Sequence, residues 1–150
     1  MRFRGTFEHS LDAKHRLTVP AKYRAALAGG VVLALSPPPE DDAPKTLSIW
    51  TPEGYDEYAE GALRDVHPLS SRARALKRIL FGNSWELELD SANRLMIPAP
   101  AIAFAGLTKD VTITGAGESL EVWDRAAYAS YNDAVLARFP EIAASFDHTA

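Results

Sequence analysis

The sequence predicts a mainly β protein of the α+β class, in which two similar units pair about a pseudo-two-fold axis into one closed β-barrel with short helices at its periphery. A fifteen-residue segment occurs twice, because residues 7–21 and 85–99 are identical at seven positions at a constant offset of 78. Both copies alternate apolar and polar residues around a short polar turn, which is typical of a β-hairpin. Neither half of a 150-residue chain buries much apolar surface alone, and closure into a barrel removes free strand edges.

Each copy contains the same elements in the same order. An alternating strand enters a four-residue turn and leaves it as a second strand, which a proline ends because proline lacks the N–H that a ladder needs. The proline suits the start of a short helix, glycine stops that helix, and an apolar strand follows. In the first copy these elements are predicted over residues 3–11, 12–15, 16–19, 21–27 and 31–35. In the second copy they are predicted over residues 85–89, 90–93, 94–97, 99–105 and 110–114.

Two further strands, residues 46–50 and 120–123, each end in tryptophan and lead into a helix, with Thr51 and Asp124 as N-caps. The proline-rich, acidic segment 36–44 is predicted as a loop. Further helices are predicted over residues 70–81 and about 124–138, and the residues after Pro140 are expected to fray or to cap an edge. The predicted organisation is a first repeat over 1–50, a helical connection over 51–81, a second repeat over 82–124 and a C-terminal helix and tail over 125–150.

Composition indicates an ordinary globular protein with an uneven charge distribution. The net charge is −4, but residues 1–24 carry six basic and two acidic groups, whereas the remaining residues carry ten basic and eighteen acidic groups. A local basic surface of this kind attracts an anionic partner while the whole chain stays acidic. The chain has no cysteine and no apolar run long enough to span a membrane, so we expect a cytoplasmic protein without a disulfide framework.

The two turns carry the most specific pattern in the chain. The sequence D-x-K-x-R-L-x-V-P at Asp12–Pro20 and its partner D-x-x-x-R-L-x-I-P at Asp90–Pro98 resemble the motif of the MraZ family. The opening RFRGTFEHSLDAK, the stretch PAKYRAAL and the late AGLTKDVTITGAGESLEVWD are similar to the same family, so the resemblance covers nearly the whole chain.

This resemblance implies a bacterial transcriptional regulator built from two AbrB-like swapped-hairpin units. It implies sequence-specific binding to double-stranded DNA, repression of the division and cell-wall gene cluster at repeated promoter boxes, and association with the nucleoid. It also implies a ring-like homo-oligomer with the motif arginines displayed on one face. The chain would then be neither an enzyme nor a membrane protein, and we expect no cofactor.

Arg16 and Arg94 are the main candidates for DNA contact. A planar guanidinium can bind a phosphate through two hydrogen bonds or read guanine in the major groove. From spacing alone, the opposite interpretation is equally good: each arginine pairs with its own aspartate, Asp12 or Asp90, and only fixes the turn. The resemblance favours DNA contact, with the aspartates organising the turns through hydrogen bonds to backbone N–H groups.

Other basic residues near the first turn are predicted to contact phosphates, which supplies affinity but no sequence information. These residues are Lys14, Lys22 and Arg24. The family usually has glycine before the motif arginine, where this chain has His15 and Asn93. Asparagine tolerates a left-handed backbone, whereas His15 fits it less well and could instead add a contact to DNA. The second copy also lacks the basic neighbours of the first, which predicts unequal contributions.

Two other classes of function compete with DNA binding. Asp12 and Asp90 could form the catalytic pair of an aspartyl hydrolase, but the residues after each aspartate differ from those of such sites, and a nearby arginine would neutralise each carboxylate. An antitoxin-like module that binds a protein partner is the stronger alternative, since most of the chain is acidic. The four histidines lack the spacing of a metal site.

Overall fold

The computed structural model of the chain describes residues 2–38 and 40–145 and divides its strands into two groups. Six strands form an antiparallel sheet in the order β1-β7-β8-β4-β3-β5, and β2 pairs with β6 in a separate two-stranded ladder. The sheet contains β1 (Thr6–Ser10), β3 (Val31–Ser36), β4 (Thr46–Trp50), β5 (Ser84–Leu87), β7 (Asp110–Gly115) and β8 (Leu120–Asp124). The ladder contains β2 (Arg16–Thr18) and β6 (Arg94–Met96).

Helices lie between and after these strands, and the predicted caps are confirmed. The hydroxyl of Thr51 accepts a hydrogen bond from Gly54 N, and the carboxylate of Asp124 accepts one from Ala127 N. The helices are α1 (Arg24–Leu27, after a 3₁₀ turn over Ala21–Tyr23), α2 (Pro52–Leu63), α3 (Ser71–Gly82), α4 (Ala99–Ala105), α5 (Arg125–Ala137) and α6 (Phe139–Ala144). Within residues 2–38 and 40–145, no helix is both long enough and apolar enough to cross a membrane.

The strand pairing has a pseudo-two-fold symmetry that joins the two copies. In the ladder, Leu17 lies directly opposite Leu95, its counterpart at the offset of 78. In the sheet, the equivalent strands β4 and β8 pair with each other at the centre. Outward from them, β3 corresponds to β7 and β5 corresponds to β1, so the strand order is the same when it is followed from either edge. The first strand of each copy pairs with the third strand of the other, β1 with β7 and β5 with β3. The two repeats therefore share one sheet and cannot separate without breaking it.

The core lies between the inner face of the sheet and the two-stranded ladder. Leu17 and Leu95 point inward from the ladder and are fully buried, as are Leu33, Ile49 and Ile113 on the sheet. Helices α2 and α5 pack on the opposite, outer face, where Trp50 and Trp123 lie. The ladder consequently has one face in the core and one face exposed.

Three expectations about the fold are wrong. The sheet is open, because its edge strands β1 and β5 do not pair with each other, so no closed barrel forms among the described residues. The arms of the predicted hairpins do not form ladders within a copy: a single bridge, Leu11 to Leu17, joins them in the first copy. Each arm instead pairs along three or more residues with a strand of the other copy. The protein is α+β but not mainly β, since its described helices hold more residues than its strands.

The C-terminal expectation is also corrected in part. Residues 139–144 form helix α6 instead of a frayed tail, and the remainder of the predicted tail, 146–150, lies outside the described residues. Proline at the second position of a helix removes no hydrogen bond, so Pro140 begins α6 and does not prevent it.

We expect Leu95→Ala to lower the free energy of unfolding by about 2–5 kcal/mol, because it leaves a cavity where the two copies meet. Urea denaturation monitored by tryptophan fluorescence measures the change. The neighbouring Met96 is 58% exposed, and Met96→Ala is the matched control, expected to change stability by less than about 0.5 kcal/mol. Equal losses for the two variants would contradict the burial of this ladder.

Candidate nucleic-acid interface

Asp12 organises the first turn through hydrogen bonds to its own backbone. Its Oδ1 accepts from the N–H groups of Lys14 and Arg16, both at 2.9 Å, and its Oδ2 accepts from Arg16 Nε at 2.6 Å. His15 N donates to the Asp12 carbonyl at 3.0 Å, and Asp12 N donates to the Arg16 carbonyl at 3.1 Å. One carboxylate thus fixes the turn and the direction in which the arginine leaves it.

The second turn repeats this geometry. Asp90 Oδ1 accepts from Ala92 N and Arg94 N at 2.9 Å, and Oδ2 accepts from Arg94 Nε at 2.9 Å. The residue before each arginine has a left-handed backbone, with φ of 59° at His15 and 60° at Asn93. Asn93 thus has the left-handed backbone that asparagine tolerates, and His15 has it too, although histidine is less suited to it.

These left-handed residues also connect the two turns. The carbonyl of His15 accepts from Ile97 N at 2.9 Å, and the carbonyl of Asn93 accepts from Val19 N at 3.0 Å. Each turn therefore extends the ladder at one end, and the position of one turn depends on that of the other.

Both arginines lie on the outer face of the ladder. Side chains alternate along a strand, and Leu17 and Leu95 occupy the inner face, so Arg16 and Arg94 point outward. Arg94 lies opposite Thr18, and its Nη1 reaches to 3.8 Å from Asp12 Oδ2. We call this exposed surface, formed by Asp12, Arg16, Asp90 and Arg94, the arginine face.

The arginines are partly exposed, with 26% of the Arg16 side chain and 31% of the Arg94 side chain accessible to solvent. Each pairs with its own aspartate through Nε, as the structural interpretation of the spacing proposed. Within residues 2–38 and 40–145, the terminal amino groups of Arg16 have no hydrogen-bond acceptor. Pairing with aspartate and contact with a ligand are therefore compatible, because they use different nitrogen atoms.

Both carboxylates stay ionised at neutral pH. Hydrogen bonds from the backbone N–H of Arg16 and from its guanidinium lower the pKa of Asp12, and the equivalent bonds from Arg94 and Ala92 lower the pKa of Asp90. An aspartyl hydrolase needs one carboxyl of its pair to hold a proton. The geometry thus favours two structural carboxylates over a catalytic pair.

The structure separates the other predicted residues into exposed and engaged groups. Lys14 and His15 are exposed in the first turn, and Lys22 is exposed with its ammonium 5.5 Å from the centre of the Tyr23 ring. Arg24 is half-buried, and its Nε donates to the carbonyl of Val19 at 3.1 Å. Arg24 therefore holds the end of β2 in place, in addition to the phosphate contact that the sequence predicts for it.

One basic residue beside the first turn was missed by the sequence analysis. Lys109 is exposed, its carbonyl accepts from Leu11 N at 2.7 Å, and it lines an open hollow together with Asp12 and His15. Val31 and Val111 are equivalent, because they lie opposite Leu87 and His9, which correspond at the offset of 78. Counted from them, the residue at the place of Lys109 in the first copy is Gly29. Only the pairing of β1 with β7 brings Lys109 to this turn, and that pairing joins different copies.

Comparison with known proteins agrees with the motif of the two turns. A family model described as "MraZ protein, putative antitoxin-like" matches residues 2–78 and 80–147. The chain is 37% identical to the transcriptional regulator MraZ of Mycoplasmoides gallisepticum over 145 residues, which cover 97% of both chains. It is 39% identical to that of Nitrosomonas europaea over 130 residues, 84% of this chain and 83% of the relative. It is 32% identical to that of a Nocardioides species over 151 aligned positions, 100% of this chain and 99% of the relative.

We expect the double variant Asp12→Asn/Asp90→Asn to lose less stability in acid than the parent protein. Because the pKa values of both carboxyls in the folded state lie below 3.8, the unfolded chain takes up protons first as pH falls. The two carboxylates therefore contribute their full stabilisation at pH values above the pKa of the unfolded chain. This stabilisation is lost as the pH falls through their lower pKa values in the folded state. Urea denaturation from about pH 6 to about pH 2.5 measures the difference.

The control is Asp41→Asn/Asp42→Asn, which changes two exposed carboxylates outside the turns. This control should follow the parent profile throughout. A double turn variant with the same acid dependence as the parent would show that the turn carboxylates are not stabilised by their hydrogen bonds.

Proposed function

The chain belongs to the MraZ family, which confirms the resemblance of its two turns, and from this membership and the arginine face we propose that it is a sequence-specific DNA-binding transcriptional regulator. The curated relatives are named for regulating transcription, and the chain is not an enzyme. The observation that carries the proposal is the presence of two oriented, partly exposed guanidinium groups on one face of a two-stranded ladder.

A two-stranded antiparallel ladder has a shape that DNA accepts. The major groove admits a β-ribbon, whose outward side chains then reach the base edges. Arg16 and Arg94 lie on that outward side, and the aspartates hold each guanidinium by Nε while leaving terminal amino groups for guanine or phosphate. In this proposal the ladder enters the groove and the two arginines read it.

The surroundings of the two turns support an unequal contribution. Lys14, His15 and Lys109 surround the first turn, whereas Ala92, Asn93 and Gly29 stand at the corresponding places of the second. Phosphate contacts then form mainly at the first turn and add affinity that falls as salt is added. The acidic remainder of the chain prevents unselective attachment to any polyanion.

The family resemblance also suggests how single weak contacts become regulation. We propose that the chain assembles as a ring-like homo-oligomer of AbrB-like swapped-hairpin units, so that several arginine faces meet repeated promoter boxes at once. Linked contacts gain affinity through effective concentration. Occupying the promoter of the division and cell-wall gene cluster would repress it, in the cytoplasm and at the nucleoid.

The matching family description supports one alternative, an antitoxin-like module that binds a protein partner. The two functions differ in what the arginine face must contact. A DNA-binding protein must contact double-stranded DNA through the guanidinium groups of this face. An antitoxin-like module would instead contact a protein partner and would not need double-stranded DNA. Mobility shift with the DNA upstream of the protein's own gene therefore decides between them.

We expect Arg16→Lys to weaken specific DNA binding by at least about tenfold, because lysine keeps the charge but cannot form two parallel hydrogen bonds with guanine. Arg94→Lys should have a smaller effect, since fewer basic groups surround the second turn. Mobility shift or fluorescence anisotropy with specific and scrambled duplexes measures both. If the parent and Arg16→Lys bind the specific duplex with equal affinity, Arg16 does not read a base.

We expect Lys14→Ala and Lys109→Ala each to lower the slope of log K against log salt by about 1, with specific and scrambled duplexes affected alike. The reason is that each lysine neutralises one phosphate and reads no base. Arg64→Ala is the control: Arg64 is exposed at the end of α2, on the other side of the sheet from the ladder. An unchanged slope for either lysine variant would exclude that lysine from the interface.

A further inference from the structure

The outer face of the ladder carries two uncharged side chains beside the two arginines. Because side chains alternate along a strand, Thr18 lies on the same face as Arg16 in β2, and Met96 lies on the same face as Arg94 in β6. The register of the ladder then places Met96 directly opposite Arg16 and Thr18 directly opposite Arg94. Each arginine therefore has one uncharged neighbour across the ladder.

These two neighbours hold the same position of the repeat but differ in chemistry. Thr18 and Met96 correspond at the offset of 78, and each directly follows the fully buried leucine of its strand. Thr18 is half-buried, whereas Met96 is 58% exposed. A single exposed apolar side chain is common on protein surfaces and needs no explanation by itself. The position of Met96 is the informative feature, because it places a large apolar group beside a guanidinium that is available to a ligand.

Of the two arginines, Arg16 is the less neutralised. Among the residues that the structure describes, Arg94 pairs with the carboxylates of both turns, at 2.9 Å from Asp90 and 3.8 Å from Asp12. Arg16 pairs with Asp12 alone, at 2.6 Å. The arginine that lies opposite Met96 is consequently the one that keeps more of its charge for a ligand.

We propose that Met96 is a specificity-determining residue, which contacts the C5 methyl group of a thymine close to the guanine that Arg16 reads. The inference rests on the proposed function and deepens it. In the major groove, thymine is distinguished by this methyl group, and apolar side chains contact it. Methionine suits the contact because its unbranched side chain is long and adaptable.

The geometry of the ladder limits where this thymine lies. Side chains that are directly opposite in an antiparallel pair have Cβ atoms about 5 Å apart, and successive base pairs are about 3.4 Å apart. The thymine that Met96 contacts therefore lies within about two base pairs of the guanine that Arg16 reads.

The corresponding place beside Arg94 cannot make the same contact. The side chain of Thr18 ends at its γ atoms and is half-buried, whereas that of Met96 extends to Cε and is mostly exposed. The methyl contact therefore forms on one half of the ladder only. A ladder with a pseudosymmetric backbone thus recognises a DNA sequence that has a direction.

Uracil interference tests the proposal, because deoxyuridine lacks only the C5 methyl group of thymine and pairs in the same way. The duplex upstream of the protein's own gene is prepared with random thymine-to-deoxyuridine replacements, and a mobility shift separates bound from free DNA. Cleavage at uracil then identifies the thymines whose methyl groups support binding. Protection of guanine N7 from dimethyl sulfate, compared between the parent and Arg16→Lys, locates the guanines that Arg16 reads.

The parent should show interference at thymines within about two base pairs of those guanines. Met96→Ala should lose this interference and bind the unmodified duplex about fourfold more weakly, which corresponds to the burial of one methyl group. Met96→Leu, which keeps a large apolar side chain, should retain the interference. Thr18→Ala is the matched control, because it changes the corresponding residue of the other copy, and it should give the parent pattern. The slope of log K against log salt should be the same for Met96→Ala and the parent, since no phosphate contact is removed.

Three results would overturn the inference while leaving the proposed function intact. They are specific binding by the parent without thymine interference, the parent pattern in Met96→Ala, and loss of the same interference in Thr18→Ala. Equal binding of specific and scrambled duplexes by the parent would instead contradict the proposed function, and the inference with it. Urea denaturation of Met96→Ala verifies that the variant is folded, so a lost contact is distinguished from a lost structure.

Discussion

The antiparallel ladder between β2 and β6 is the interaction on which the rest of the structure depends. It is only three residues long on each side, yet it joins the two copies through Leu17 and Leu95, which are fully buried. A slip of one residue in its register would exchange its faces, placing leucines in solvent and arginines in the core. The burial of two leucines is therefore what turns both arginines outward on the same surface.

The turns strengthen this ladder as well as presenting the arginines. The carbonyls of His15 and Asn93 accept hydrogen bonds from the opposite copy, and both residues have a left-handed backbone. A histidine at such a position costs more free energy than a glycine would. His15 is exposed beside Lys14 and Lys109, so this local energetic cost lies on the exposed side of the first turn.

The sequence predicted most elements correctly because each has a local cause. Proline and glycine mark the ends of the short helices, Thr51 and Asp124 cap α2 and α5, and the repeat indicates two turns of one kind. What it could not predict was which strands pair. A strand can pair with the other arm of its own hairpin or with a strand of the other copy, because both have the same alternating pattern. Only the tertiary fold selects between these partners. The sequence analysis therefore missed the open sheet and the approach of Lys109 to the first turn. Helix α6 was missed because Pro140 indicates a break as readily as a helix start.

The two copies have kept one backbone and diverged in what they leave exposed. Lysines from both copies, Lys14 and Lys109, lie at the first turn, and α3 covers the aromatic residues of α2, while the second turn is nearly neutral and no residue of α5 is buried. If the two halves were identical, each surface of the chain would occur twice, and a copy could bind neighbours in two equivalent ways. Divergence leaves one basic turn per chain, which gives the chain a direction.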